Sequence, residues 1–585
     1  MVKTFQTGEF AMNTASRRAL LAEAHRITAY AAAHFDDRVE RLSGWAHNFV
    51  CPDCASRIPF NIDMKYDPPH NVFTCDHCGK TVSGTDHDEA WVYSYRQVYA
   101  NYMEALAAAA LDGNHDAIPF MQRYLDFYAD HYAEFPVHGR WAGKGKIMGQ
   151  GLCEAVWAIA VLRGFYPVRQ MFSAEKWAKW HKILFRPLAE LLIPQAQKIH
   201  NIPCWLWCAV GMIGIAFDDE ELLHEAVDGE FGVRNQVEKG FTKNGLWYEG
   251  SLHYHYYTAE GLTYFLSLYA KVRPDDPLIE RLNGIYCAPL ALSHDGYRLQ
   301  STNDGWYPRT LEDYATQIHR AAALTGSDRL ARQVETIRRF APASIKKPYA
   351  LLIEKPAPAC ELWSETNLAI FDEPLKFILK SGVIAPSHRH RDCLSVILPP
   401  YSNDLGTPGY GHTLTPGWYR LAASHNCVTV DQNQPAEMIP THIEAVENGA
   451  RAVVDGGWEG VISAARTVTR EEDDLLDVTE VVCIGTHTVD WLLHLSGEVS
   501  HNGSETPADA LGDQFGYQHF TRIRRIGCDG EFTLRTGVLT VNISSEGALY
   551  LADSPDNPAN GTRTSVIVRT VGETATVRAV YSIEE

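Results

Sequence analysis

The chain has 585 residues, of which 45% are hydrophobic and 21% charged, and a formal net charge of −20 at pH 7. Such a length exceeds what one hydrophobic core can organise and implies roughly two to four domains. The negative balance argues against wholesale binding to nucleic acid or to an anionic membrane, since both attract clustered Lys and Arg, but it leaves room for a local basic cleft.

The opening stretch, "MVKTFQTGEFAMNTASRRALLAEAHRI", has no apolar core of signal-peptide length. As it stands the sequence reads as cytoplasmic, and as periplasmic or secreted if a leader has been removed. Thirteen cysteines are present, and Cys153, Cys204, Cys208 and Cys287 sit inside apolar stretches, which fits reduced buried thiols better than a disulfide framework. Four others differ. In "CPDCASRIPFNIDMKYDPPHNVFTCDHCGK", Cys51 and Cys54 make one CxxC and Cys75 and Cys78 a second, 20 residues later. Two such knuckles predict a zinc-ribbon-like site in which four thiolates hold a structural tetrahedral zinc, with a redox CxxC as the alternative. We take residues 1–86 as an N-terminal segment carrying this element.

Residues 87–355 read as a helical domain. Stretches such as "GLCEAVWAIAVLRGF", "KILFRPLAELLIPQAQKI" and "CWLWCAVGMIGIAFDDEELLHEA" carry apolar residues at helical spacing, separated by Gly, Pro or Asn. No fixed-period repeat is visible, so an irregular toroid or bundle is expected rather than a solenoid. Within it, "KIHNIPCWLW" sets His200 and Asn201 just before a helix; Asn201 as a plain N-cap and His200 as a loop residue is one reading, and a chemical role for the pair is the other. Further on, "NGLWYEGSLHYHYYTAEGL" packs Trp247, Glu249, Tyr254 and His255 at a helix start, where so many polar aromatics need partners. A tyrosine beside histidines and a carboxylate suits general acid or base work.

Near "EKPAPACELW" the texture changes to short alternating segments, and residues 360–585 read as antiparallel sheets in a sandwich. There "SHRHRDCLSV" sets His388, His390 and Asp392 at alternate positions, which a strand would place on one face. Asp404, Tyr410 and His412 follow in "NDLGTPGYGH", and His425 and Asn426 in "SHNCVTVD". Two histidines and a carboxylate make a suitable set for zinc or manganese with an open position.

Taken in order, the helical half, "EGS…YHYY", "SHRHRDCLSV", "NDLGTPGYG" and "SHNCVTVD" resemble the heparinase II/III-like polysaccharide lyases, glycosaminoglycan and alginate lyases that join an (α/α) toroid to antiparallel β-sheets. The resemblance runs from about residue 87 to the end of the sheet domain. It implies a lyase that cleaves acidic, uronate-containing glycans by β-elimination. Tyr254 would be the proton donor, His200, Asn201 and His388 the base or carboxylate-neutralising groups, and His390, Asp404 and His425 the ligands of a divalent metal. Trp247, Glu249, His255 and Tyr410 would line the substrate cleft. Cys393 and the short spacing from Asp404 to His425 depart from some relatives and blur the subfamily. A metal-dependent glycan hydrolase and a non-catalytic carbohydrate-binding protein are the competing classes; the first predicts no unsaturated product, the second affinity without turnover.

Overall fold

A computed structural model describes residues 14–54, 56–62, 71–139, 143–293, 295–340, 360–382, 387–437, 439, 441–528 and 531–584. The stretch of the texture change, 354–363, lies partly outside this set, as do residues 1–13 of the opening stretch. Contacts group the chain into two compact units, Met1–Gly240, Tyr257–Asn283 and Thr316–Ala331 in one, and Phe241–Tyr256, Gly284–Ala315 and Arg332–Glu585 in the other. The segment carrying the Cys pairs therefore belongs with the helices. The divide also departs from the chain order read from the sequence, because 241–256 and 284–315 pack with the sheets.

In the first unit the helices Thr85–Leu111, Gly151–Phe165 and Asn201–Ala216 form successive neighbours. Gly164 explains one close approach: a Cβ there would meet the Met103 backbone at 2.3 Å. Gly151–Met171 is long and apolar enough to cross a membrane, yet most of it is buried inside the protein, as in a core helix. The stretch expected as one element at 204–226 breaks in two, because Asp218 takes φ +54° and Asp219 caps Glu220–Asp228 by accepting the Leu222 N–H at 3.1 Å. Pairing of Arg186 with Asp219 and Glu221 commits these acids to the helix end. His200, rather than Asn201, is the N-cap of Asn201–Ala216: its Nδ1 accepts the Ile202 N–H at 3.3 Å.

Two small hairpins close around the four cysteines, one through the bridge Val50–Arg57 and one through the strands Phe73–Thr74 and Thr81–Val82. All thirteen cysteines are free of disulfides, and Cys153, Cys204, Cys208 and Cys287 are buried as the sequence predicts.

Among the described residues the second unit holds two large antiparallel sheets and the short pair Arg298–Leu299 with Arg309–Thr310. Four strands, Glu361–Trp363, Leu368–Phe371, Phe377–Lys380 and Ser395–Ile397, pair in chain order. The larger sheet has twelve, centred on the 22-residue strands Asp474–Leu495 and Thr562–Ile583. Apolar residues of both sheets, among them Phe377, Val396, Val428, Trp491 and Val568, share one buried cluster. Inside it, Arg466 and Asp477 form a fully buried ion pair, and the same guanidinium donates to the carbonyls of Leu394 at 2.8 Å and Asn426 at 2.6 Å. Two loops are thereby anchored at their roots.

Candidate active site

The stretch 387–394 is not a strand. His388 and Leu394 take φ of +59° and +58°, a conformation closed to an extended chain, and the strand begins only at Ser395. His388 and His390 nevertheless converge, and what gathers them is a residue the sequence reading missed.

That residue is Asp304, whose side chain is 1% exposed. Its Oδ2 accepts from His388 Nδ1 at 3.2 Å and from the Tyr410 hydroxyl at 3.0 Å. Its Oδ1 accepts from His390 Nε2 at 3.2 Å and from Arg420 Nε at 2.9 Å, while Arg420 Nη2 also reaches Oδ2. Burial alone would raise its pKa, but hydrogen bonds from both histidines and from the Arg420 guanidinium outweigh it and hold the carboxyl well below the usual range. Asp304 is therefore an anion that can only accept, so the facing nitrogens of His388 and His390 must carry the protons.

Tyr254, in the first turn of the helix Leu252–Tyr269, stacks on His388 with ring centroids 3.5 Å apart and planes 16° from parallel. Its hydroxyl lies 2.6 Å from that of Tyr410. Burial drives both phenols well above their ordinary pKa; Asp304 adds to that, and the Tyr410 hydrogen bond relieves Tyr254 only in part. Tyr254, Tyr410, His388, Asp304 and Arg420 thus form one hydrogen-bonded cluster, with Arg420 also 5.3 Å from the Tyr410 ring centre.

Three expected substrate contacts are supports instead. His255 is fully buried, with Nδ1 accepting the Trp247 N–H at 3.1 Å and Nε2 donating to the Ile285 carbonyl at 2.9 Å; burial lowers its pKa to about 3. Trp247 is fully buried and donates from Nε1 to Glu249 at 2.8 Å. The other Glu249 oxygen accepts from Ser387 at 2.7 Å, so this buried carboxylate fixes the residue before His388. Asp392, expected to orient a histidine, pairs with Lys380, whose ammonium also donates to Asn303 beside Asp304. Orientation of the histidines falls to Asp304. The run "STNDGW" around it carries no motif, and only the burial of so polar a stretch marks it.

His390, Asp404 and His425 are buried, with one candidate ligand atom from each within 4.8 Å of the others. His390 directs Nε2 to Asp304, which leaves Nδ1 as its lone-pair atom, and His425 directs Nε2 to the Tyr419 carbonyl at 3.1 Å, leaving Nδ1 3.9 Å from Asp404. Burial holds the His425 pKa down at about 4, so it is neutral, as a metal ligand must be. In the helical unit the four Cys Sγ atoms are similarly gathered, Cys51 to Cys78 at 3.5 Å and Cys54 to Cys75 at 3.6 Å. Sγ atoms about 2.3 Å from one zinc would stand about 3.8 Å apart, so this set fits the ion. His200 and Asn201 belong to the other compact unit, at the head of Asn201–Ala216.

Comparison with known proteins gives the fold. The fold is that of the heparinase III structures: one superposes with a TM-score of 0.61 over 100% of this chain and 87% of its own, at 13% identity. In sequence the chain is similar to an alginate lyase from Stenotrophomonas maltophilia, 27% identical over 285 residues, which are 45% of this chain and 38% of the relative. It is also similar to an exo-oligoalginate lyase from Saccharophagus degradans, 26% identical over 223 residues, 35% of this chain and 30% of that one. The chain thus spans well under half the length of the curated relatives it matches. No family model matches. The resemblance read from the motifs, to heparinase-like and alginate lyases together, agrees with both comparisons.

Proposed function

We propose that the chain is a polysaccharide lyase that cleaves uronate-containing glycans by β-elimination and leaves a 4,5-unsaturated uronate end, its helices forming an (α/α) toroid. The observation that carries this reading is the Tyr254–Tyr410 hydroxyl pair set against His388 and closed by the anionic Asp304. Alginate is the favoured polymer, because the relatives found by sequence are named as alginate lyases.

The C5 proton of a hexuronate is weakly acidic, so its carboxylate must be neutralised and the enolate-like charge stabilised. Asp304 fixes the His388 proton on Nδ1, which leaves Nε2 as the ring atom for the substrate. As the C5–H electrons form the C4–C5 double bond, the C4–O electrons pass to the leaving oxygen, and Tyr254, kept neutral by its surroundings, supplies the proton. For His200 and Asn201 the proposal keeps what the resemblance implies, a base and a carboxylate-neutralising group. His390, Asp404 and His425 would hold a divalent ion, zinc or manganese, that pins these loops, and the four cysteines would hold a structural zinc.

The test is a screen of purified protein against alginate, heparan sulfate, chondroitin sulfate, hyaluronan and their oligomers, read by ultraviolet absorbance of the unsaturated uronate. Alginate oligomers should give a rise that Tyr254→Phe cuts by roughly 10²- to 10⁴-fold, the scale of a lost general acid. A flat trace on every polymer would sink the reading.

A further inference from the structure

Beside the tyrosine cluster lies a cavity of about 370 Å³ lined by His388, Arg389, Arg391, Arg420, Gln434 and Glu437. Three guanidinium groups around one cavity stand out in a chain of net charge −20. Arg420 is committed to Asp304, but the other two meet on a single carboxylate: Glu437 accepts from Arg391 at 2.6 Å on one oxygen and from Arg389 at 3.2 Å on the other. The arginine side chains are 16% and 20% exposed, whereas that of Glu437 is 69% exposed. An ion pair with one partner so open to water contributes little and exchanges readily. Gln434 Oε1, also on the cavity wall, is buried without a hydrogen-bond partner among the described residues.

Resting on the lyase reading above, we propose that this cavity is a subsite for the carboxylate of a uronate unit adjoining the one that reacts. Arg389 and Arg391 hold it, and Glu437 is a tethered competitor that the incoming carboxylate displaces. The fit is already drawn in the protein, since one planar carboxylate spans both guanidinium groups, an oxygen to each. A sugar also brings hydroxyl donors for Gln434 Oε1. His388 lines both this cavity and the tyrosine cluster, so an anion held here lies next to the reacting unit.

The experiment uses the full chain and di-, tri- and tetrauronates at fixed ionic strength. Arg389→Gln should raise KM about tenfold with kcat held within about threefold, and Arg389→Lys, which keeps the charge but not the fork, should recover part of the loss. Glu437→Gln should lower KM about threefold by removing the competitor. Calorimetric titration of the trimer into Tyr254→Phe, with and without Arg389→Gln, reads binding apart from turnover; circular dichroism verifies that each variant folds. The affinity should fall about tenfold with Arg389→Gln, and a carboxyl-reduced trimer should not distinguish the two proteins. If Arg389→Gln left both KM and titrated affinity within twofold, the subsite would be overturned although the lyase reading stood. If titration responded as expected but no polymer gave unsaturated product, the subsite would stand and the lyase reading would fall. A sulfated, carboxyl-reduced oligomer that bound as tightly as the uronate, with equal sensitivity to Arg389→Gln, would overturn the carboxylate assignment.

Discussion

Asp304 settles how two neighbouring histidines divide their work. Each gives it one ring N–H, so the free lone pair of each is set by a shared anion rather than by a strand. His388 then offers Nε2, beside Tyr254, and His390 offers Nδ1, toward His425 at 3.3 Å. The expected outcome is unequal: His388→Ala should lose turnover and keep the divalent ion and its melting temperature, whereas His390→Ala should lose the ion, measured by metal analysis of dialysed protein. Release of the ion by His388→Ala alone would refute this division. Sequence made the histidines, Tyr254 and Tyr410 legible because short motifs carry them. Asp304 and Arg420 were not legible, because each stands in an unremarkable turn and gains meaning only from burial against distant residues.

Among the elements, helices were legible where one periodicity ran unbroken, as in Gly151–Phe165, and the sheets were legible as a run of short alternating segments. Boundaries failed where a single residue left the allowed region of its element, at Asp218 in the helices and at His388 and Leu394 before a strand. The spacing of the four cysteines made their gathering legible, and beside them the two hairpins share only a small apolar cluster of Phe49, Ile58, Phe73 and Val82, to which a bound zinc would add. Cys51→Ser should therefore lower the melting temperature and release zinc, while the folded fraction keeps its specific activity. A variant with unchanged zinc content and melting temperature would show that the knuckles stand without the ion.

For the whole molecule, buried neutral histidines add to the acid sensitivity. His255 has its pKa lowered to about 3 and His494 well below its ordinary value, in both cases chiefly by burial. A histidine depressed in the folded state binds its proton more readily once unfolded, so stability is full above about pH 6.5 and falls as pH drops toward the folded value. The slope is about 1.4 kcal/mol per pH unit for each such residue. Melting temperatures should accordingly drop between pH 7.5 and pH 5, and His255→Gln, less stable at neutral pH, should show a smaller drop. Equal drops in both proteins would place the acid sensitivity elsewhere.

On the lyase reading, the row from Tyr254 through Tyr410 to Asp304 would act as a one-way valve for protons. Its far end is a carboxylate kept ionised by two histidines and an arginine, so it has no proton to send back. If Tyr254 gives its hydrogen to a departing sugar, as the lyase reading has it, the carboxylate cannot refill it, although the His388 Nδ1–H stands 3.0 Å from the Tyr410 hydroxyl. On that reading recharging would come from the substrate side, through the proton taken from C5 or a water admitted after product leaves. Each turnover would then need the cleft either to recycle the substrate's own hydrogen or to open, and solvent deuterium in the leaving sugar's new hydroxyl cannot tell these apart, because hydroxyl hydrogens exchange. A solvent isotope effect on product release can.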